Sequence, residues 1–332
     1  MHDKRRFLTA LMALGLEGTL PRLAAARDAG NAAFPLRPLK IVVPNAAGGA
    51  ADLTARTVAQ QLAVSLGQSV IVDNRPGAGG VLAGELVARA DPDGHTLLLV
   101  SSGTAVSAAL FKSLPFDTLK DFAWISTLAT FDLAIVVAEG SRFKTLADLL
   151  AYARSNPGRL NIGTPNVGTT QNLAAELFKG SAGIDAQVVP FNGTPPVITA
   201  LRGGQIDAAI DILGPLMPQI VSTALRALAV LGTERAPQLP EVPAARESGA
   251  ALAGFTVSSW NGLAVPARTP GDVVARLSRD VQAAVAQPGV RKRLLELNLV
   301  AQGSSAEQLG LLMAAEVKRW SDVISRARIA RQ

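Results

Sequence analysis

The chain has 332 residues, of which 48% are hydrophobic and 17% charged, and its formal net charge is +6. This balance excludes an intrinsically disordered protein, which is poor in apolar residues and rich in charge, and the length suits two lobes of ordinary domain size. Cysteine is absent and the histidines are only His2 and His95, which argues against a disulfide, a thiolate nucleophile, a metal centre or a Ser-His triad.

Met1 to Arg6 is short and basic, Phe7 to Leu16 is an apolar run, and Ala24-Ala25-Ala26 offers a small-residue cleavage site. This order predicts a signal peptide over residues 1–26 and a mature chain in the periplasm. The apolar run is too short to span a bilayer, which takes about 20 residues. Lys4-Arg5-Arg6-Phe7-Leu8 also looks like a twin-arginine signal with lysine in the first position. Further along, positive charge is scattered. Its densest cluster, Arg291 to Arg293, has no interleaved aromatics, so nucleic acid is not an expected partner.

From Leu39 onward, short apolar strands alternate with amphipathic helices. Strands are predicted at Leu39–Pro44, Val70–Asp73 and Thr96–Val100, with helices at Asp52–Leu66 and Val81–Arg89 between them. Asp91-Pro92-Asp93-Gly94 reads as a turn. The rhythm returns with strands at Leu160–Gly163, Gln187–Pro190, Ile206–Asp211 and Arg226–Leu231, and helices at Thr169–Lys179 and Pro196–Arg202. Such alternation predicts parallel sheets covered on both faces, one in each of two lobes. Leu133–Val137 is read as a strand crossing from the first lobe to the second, and Val257–Val265 as one crossing back. Helices at Val273–Ala286 and Ala306–Arg326 then return to the first lobe. A lobe built from both ends of the chain, joined by two crossings, is the layout of a ligand clamp.

Three loops follow strands, and the first two of them also open helices; ligands of open α/β sheets bind beyond such strand ends. The first is Pro44-Asn45-Ala46-Ala47-Gly48-Gly49-Ala50-Ala51-Asp52. Its small residues let backbone N–H groups approach an anion, and the helix dipole adds partial positive charge. No Lys-Ser or Lys-Thr follows the glycines, so it is not a Walker loop. Asp52 is read as an ordinary stabiliser of the helix N-terminus. The second loop is Gly163 to Asn172, and the third is Ser101-Ser102-Gly103-Thr104. All three offer hydroxyls, amides and backbone donors, and none offers Lys or Arg. No catalytic constellation emerges: Asp211 is read as a polar lining residue and Asp207 as a surface carboxylate. No cofactor and no metal is expected.

The residues resemble a known family, the substrate-binding proteins of tripartite tricarboxylate transporters, also called Bug receptors. The stretches that carry the resemblance are PLKIVVPNAAGGAAD, LGQSVIVDNRPGAGG, PDGHTLLL, LPFDTLKDF, LAAELFKGSAGI, VVPFNGTPPVITALRGGQID, LRALAVLGTERAPQLPEVP and WNGLAVPARTP. They run in this order from Pro38 to about Ile329. The resemblance implies an α/β, two-lobed periplasmic-binding-protein fold of type II, a flytrap with a parallel-rich sheet in each lobe and two crossover strands. It implies a ligand carboxylate gripped by Ala46, Ala47, Gly48 and Gly49 and by Thr164, Gly168, Thr169 and Thr170. Ser102 and Thr104 match polar positions of the third loop. The chain departs from the family at several positions near this pocket: the family usually has Phe at Asn45, Gly at Asn166, His at Asn172, an Asn-Pro pair at Ser107-Ala108, and Tyr at Phe191.

The expected layout is lobe 1 over 37–137 and 258–332, with lobe 2 over 138–257. The expected function is a monomeric solute-binding receptor, not an enzyme, that hands a small carboxylate to the membrane subunits of such a transporter. A sensor subunit presenting its ligand to a membrane signalling kinase is the alternative, and an enzyme on the same fold ranks third.

Overall fold

The computed structural model describes residues 34–326 and 329–332; the leader expected over 1–26 lies outside the described residues. The first half-sheet is built from β1 (Leu39–Val43), β2 (Val70–Asn74) and β3 (Thr96–Ser101), which run parallel to one another. Val42, Val43 and the run Leu97 to Val100 are buried, as near-continuous apolar strands covered on both faces should be. Helices α1 (Ala50–Leu66), α2 (Val81–Ala88) and α3 (Ser102–Leu110) follow these strands in turn.

The chain then enters β4 (Phe122–Ala138), a strand of 17 residues shared by both lobes. From Phe122 to Asp132 it pairs with β9 (Ser258–Pro266). From Leu133 onward it pairs with β7 (Ala208–Ile212) and β8 (Leu225–Val230). The return passes beside it, because Leu231 N donates to Leu133 O and Val257 N donates to Leu231 O. Two adjacent crossings therefore connect the lobes, the arrangement of a hinge. The second half-sheet is completed by β5 (Leu160–Pro165), parallel to β6 (Ala186–Phe191) and β7. It is covered by α4 (Leu146–Ser155), α5 (Thr170–Ala182), α6 (Thr194–Arg202) and α7 (Leu213–Val221). Finally α8 (Gly271–Ala286), α9 (Pro288–Glu296), the short β10 (Val300–Ala301) and α10 (Ala306–Arg326) rejoin the first lobe, with α10 against α3 and β4. The fold is the expected mixed α/β flytrap.

Several elements were not visible in the sequence, for physical reasons. Only the apolar tail of β4 reads as a strand, because Ser126, Thr127 and Thr130 interrupt its first part and the register shifts twice there. The Ser101–Thr104 segment is not a loop but the start of α3, where Ser101 caps Gly103 N and Thr104 Oγ1 accepts from Ser101 N. The α7 sequence LGPLMPQIV carries two prolines and a glycine, which read as breakers. Among the described residues three helices, not two, follow β9, since Pro288 opens α9 at its first turn. The strand expected over Ile206–Asp211 begins at Ala208. Asp207 lies before it, half-buried, accepting from Asn161 N at 2.9 Å with Arg142 at 3.6 Å.

Candidate functional site

The carboxyl ends of β1, β3, β5 and β7 meet where the two lobes face each other, and the helices that follow point their N-termini into the same space. A cavity of about 70 Å³ lies there, lined by Gly49 before α1 and its first residues Ala50 and Ala51, by Ser101 at the end of β3 and Gly103 of α3, and by Thr169 before α5 with Thr170 and Gln171 of its first turn. Thr194 of α6 and Ile212, which precedes α7, close it from the second lobe, while Asn45, Phe131, Ser259 and Asn261 complete the wall. The N-termini of α1, α6 and α7 have no side-chain cap. Their first-turn N–H groups have no partner inside the helix, and each helix end carries partial positive charge. Converging from both lobes, these dipoles make a site for an anion. Among the described residues no charged side chain lines the cavity.

Around the cavity the polar groups are held by one another. Ser102, fully buried, shares a hydrogen bond with Thr170 across the lobes and another with Ser259. Asn261 Nδ2 donates to Thr54 Oγ1, and Thr54 Oγ1 donates to Ala50 O. Asn74 Nδ2 donates to Asn45 O, fixing the first loop from the neighbouring strand. Asp211, fully buried behind the wall, accepts from Gln171 Nε2 at 3.1 Å and from Ile212 N at 2.7 Å. Burial pushes its carboxyl up to about 6, against the opposing effect of these bonds.

The residues singled out from sequence are distributed in three ways. Asn45, Gly49, Thr169 and Thr170 line the cavity. Ser102, Thr164, Asn166, Gly168, Asn172 and Asp211 stand one step behind. Asn172 Nδ2 donates to the fully buried Thr164 Oγ1, and Asn166 O accepts from Thr169 Oγ1 at 2.7 Å, while Gly168 O accepts from Ser107 Oγ of the other lobe at 3.1 Å. The others lie elsewhere. Ala47 is exposed, Ala46 is half-buried, and Gly48 lines a neighbouring groove with its N–H donated to Asp52. The Thr104 hydroxyl is committed to its own helix cap, and Phe191 packs against the smaller hydrophobic cluster of the second lobe. Their placement follows from loop geometry: the chain swings outward at Ala46–Gly48 before α1 begins, so only its end meets the cavity.

Sequence reasoning missed Gln171, Thr194, Phe131, Ser259 and Asn261. A signal for two of them existed. Ser259 and Asn261 alternate on one face of β9, both nearly fully buried in a strand whose later residues are apolar. Gln171 sits inside the polar run already noted.

Comparison with known proteins agrees with this geometry. A family model described as tripartite tricarboxylate transporter family receptor matches residues 54–329. The periplasmic binding protein BugD superposes with a TM-score of 0.84 at 30% identity, covering 90% of this chain and 100% of that one. MatC (Rpa3494) from Rhodopseudomonas palustris with bound malate gives a TM-score of 0.82 at 35% identity, over 88% of this chain and 100% of that one. Rpa4515 of R. palustris with adipate gives 0.84 at 31% identity, over 90% and 99%. The chain belongs to the tripartite tricarboxylate transporter receptor family, whose fold is that of periplasmic solute-binding proteins of the Bug type.

Proposed function

We propose that this chain is an exported receptor that captures a small organic carboxylate between its lobes and delivers it, without turnover, to the membrane subunits of a tripartite tricarboxylate transporter. The observation that carries this reading is the convergence of helix N-termini from both lobes on one neutral polar cavity. A carboxylate held by backbone dipoles and hydroxyls is gripped only when the lobes meet, and is released more readily than one paired with a buried cation. The malate and adipate of the two relatives are acids of this class. Contacts are assigned to the first turns of α1 and α5, to Thr194, and to the side chains of Asn45, Gln171, Ser259 and Asn261. The lobes are assigned as 37–137 with 258–332, and 138–257. Among the described residues no helix is long and apolar enough to cross a membrane.

The test is mass spectrometry of small molecules released on denaturing protein purified under native conditions. The expected result is an organic acid in near-stoichiometric amount, unchanged in mass after prolonged incubation with the protein. Recovery of an uncharged solute, or conversion of the acid, contradicts the reading.

A further inference from the structure

Beside the cavity lies a much larger space. A groove of about 750 Å³ runs between α6 and α7 of the second lobe and the α1 and α9 side of the first. Thr194 lines both spaces, and Gly48 of the groove adjoins Gly49 of the cavity. The groove is walled by Leu53, Pro195, Ile198, Met217, Pro218 and Val221, and among the described residues Glu296 is the one charged residue on it. Val221, at the rim of the groove, is 74% exposed. Both lobes contribute walls, and they meet at Gly214, where a Cβ would stand 2.5 Å from Leu297 O. A side chain there would hold the lobes apart.

The cavity of about 70 Å³ accepts a carboxylate head and little else, whereas ligand pockets span about 300–1,000 Å³ and are mostly apolar. We propose that the ligand is a carboxylic acid with an apolar body, alkyl or arylalkyl, rather than a short hydroxy-diacid. The head sits at the helix N-termini and the body passes Thr194 into the groove, where it touches both lobes. The proposal rests on the carboxylate reading above and adds the class of acid.

Titration calorimetry with butanoate, hexanoate, octanoate, 4-phenylbutanoate and malate tests it. Each methylene that enters the groove raises affinity about fourfold, so octanoate is expected to bind at least tenfold more tightly than butanoate. Ile198→Asp, on the groove wall, is expected to remove this gain and leave butanoate affinity within about twofold. Val221→Asp, at the exposed rim, is a second variant that does not depend on tolerance of the wall, and is expected to reduce the gain. Malate binding with a flat alkanoate series and no effect of either variant overturns the groove while leaving the carboxylate reading intact. Failure of every acid to bind overturns both.

Discussion

Ser102 at the start of α3 and Thr170 at the start of α5 share a hydrogen bond of 2.6 Å, oxygen to oxygen, that joins the two lobes. Both residues are essentially fully buried. The bond exists only when the lobes are together, so it biases closure rather than the stability of either lobe. Thr170→Val keeps the shape and removes the hydroxyl. Loss of one such bond costs about 1 kcal/mol, or about fivefold in an equilibrium. Affinity for the best-binding acid is expected to fall by about that factor in calorimetry, with the melting temperature nearly unchanged.

Gly168 makes the second bridge, accepting from Ser107 Oγ. Its φ is +79°, and a Cβ there would approach Gly79 Cα at 3.1 Å and Phe111 at 3.2 Å, both on the other lobe. Gly168→Ala therefore combines left-handed strain of about 1–2 kcal/mol with a wedge between the lobes. At least a tenfold loss of affinity is expected, and small-angle scattering of the variant with saturating acid should show a larger radius of gyration than wild type.

Thr169 lines the cavity, but its hydroxyl donates to Asn166 O and accepts from Asn172 N. It is a helix cap, so Thr169→Ala is expected to lower stability by about 1 kcal/mol. Thr169→Ser should restore the loss in a denaturant titration.

Asp211 sets a pH dependence. An aspartate in the unfolded chain titrates near 3.9, and in the fold burial raises Asp211 to about 6. The folded state holds this proton more tightly, so the associated stability is fully present below about pH 4 and is lost as pH rises through about 6. The shift corresponds to at most about 3 kcal/mol. Asp211→Asn keeps an acceptor for Gln171 and Ile212 and removes the titration. Thermal melts from pH 4 to pH 7 should show the wild type losing stability relative to the variant across this window. A constant difference would exclude Asp211 as the titrating group.

The βα alternation and the neutral strand-end loops were readable in sequence because apolar runs and small-residue turns are local signals. The site was readable only in part. Thr169 and Thr170 fall where a loop feeds a helix in sequence, and there the cavity is. Ala47, equally prominent in its glycine-rich loop, turns outward, since nothing local fixes which peptide of a flexible loop faces the partner lobe. Ser259 and Asn261 arrive from a strand 157 positions beyond Ser102, a juxtaposition that only topology creates. Asp211 was legible as a polar residue near a strand end, but its link to Gln171 depends on two parallel strands being neighbours.

The central claim is that neutral donors at converging helix ends hold the carboxylate. A crystal structure of the protein with its tightest-binding acid tests this most directly. The carboxylate oxygens are expected within hydrogen-bonding distance of N–H groups in the first turns of α1 and α5, with no Lys or Arg side chain in contact. A carboxylate ion-paired to Lys or Arg, or seated away from Thr170 and Ala51, would contradict it.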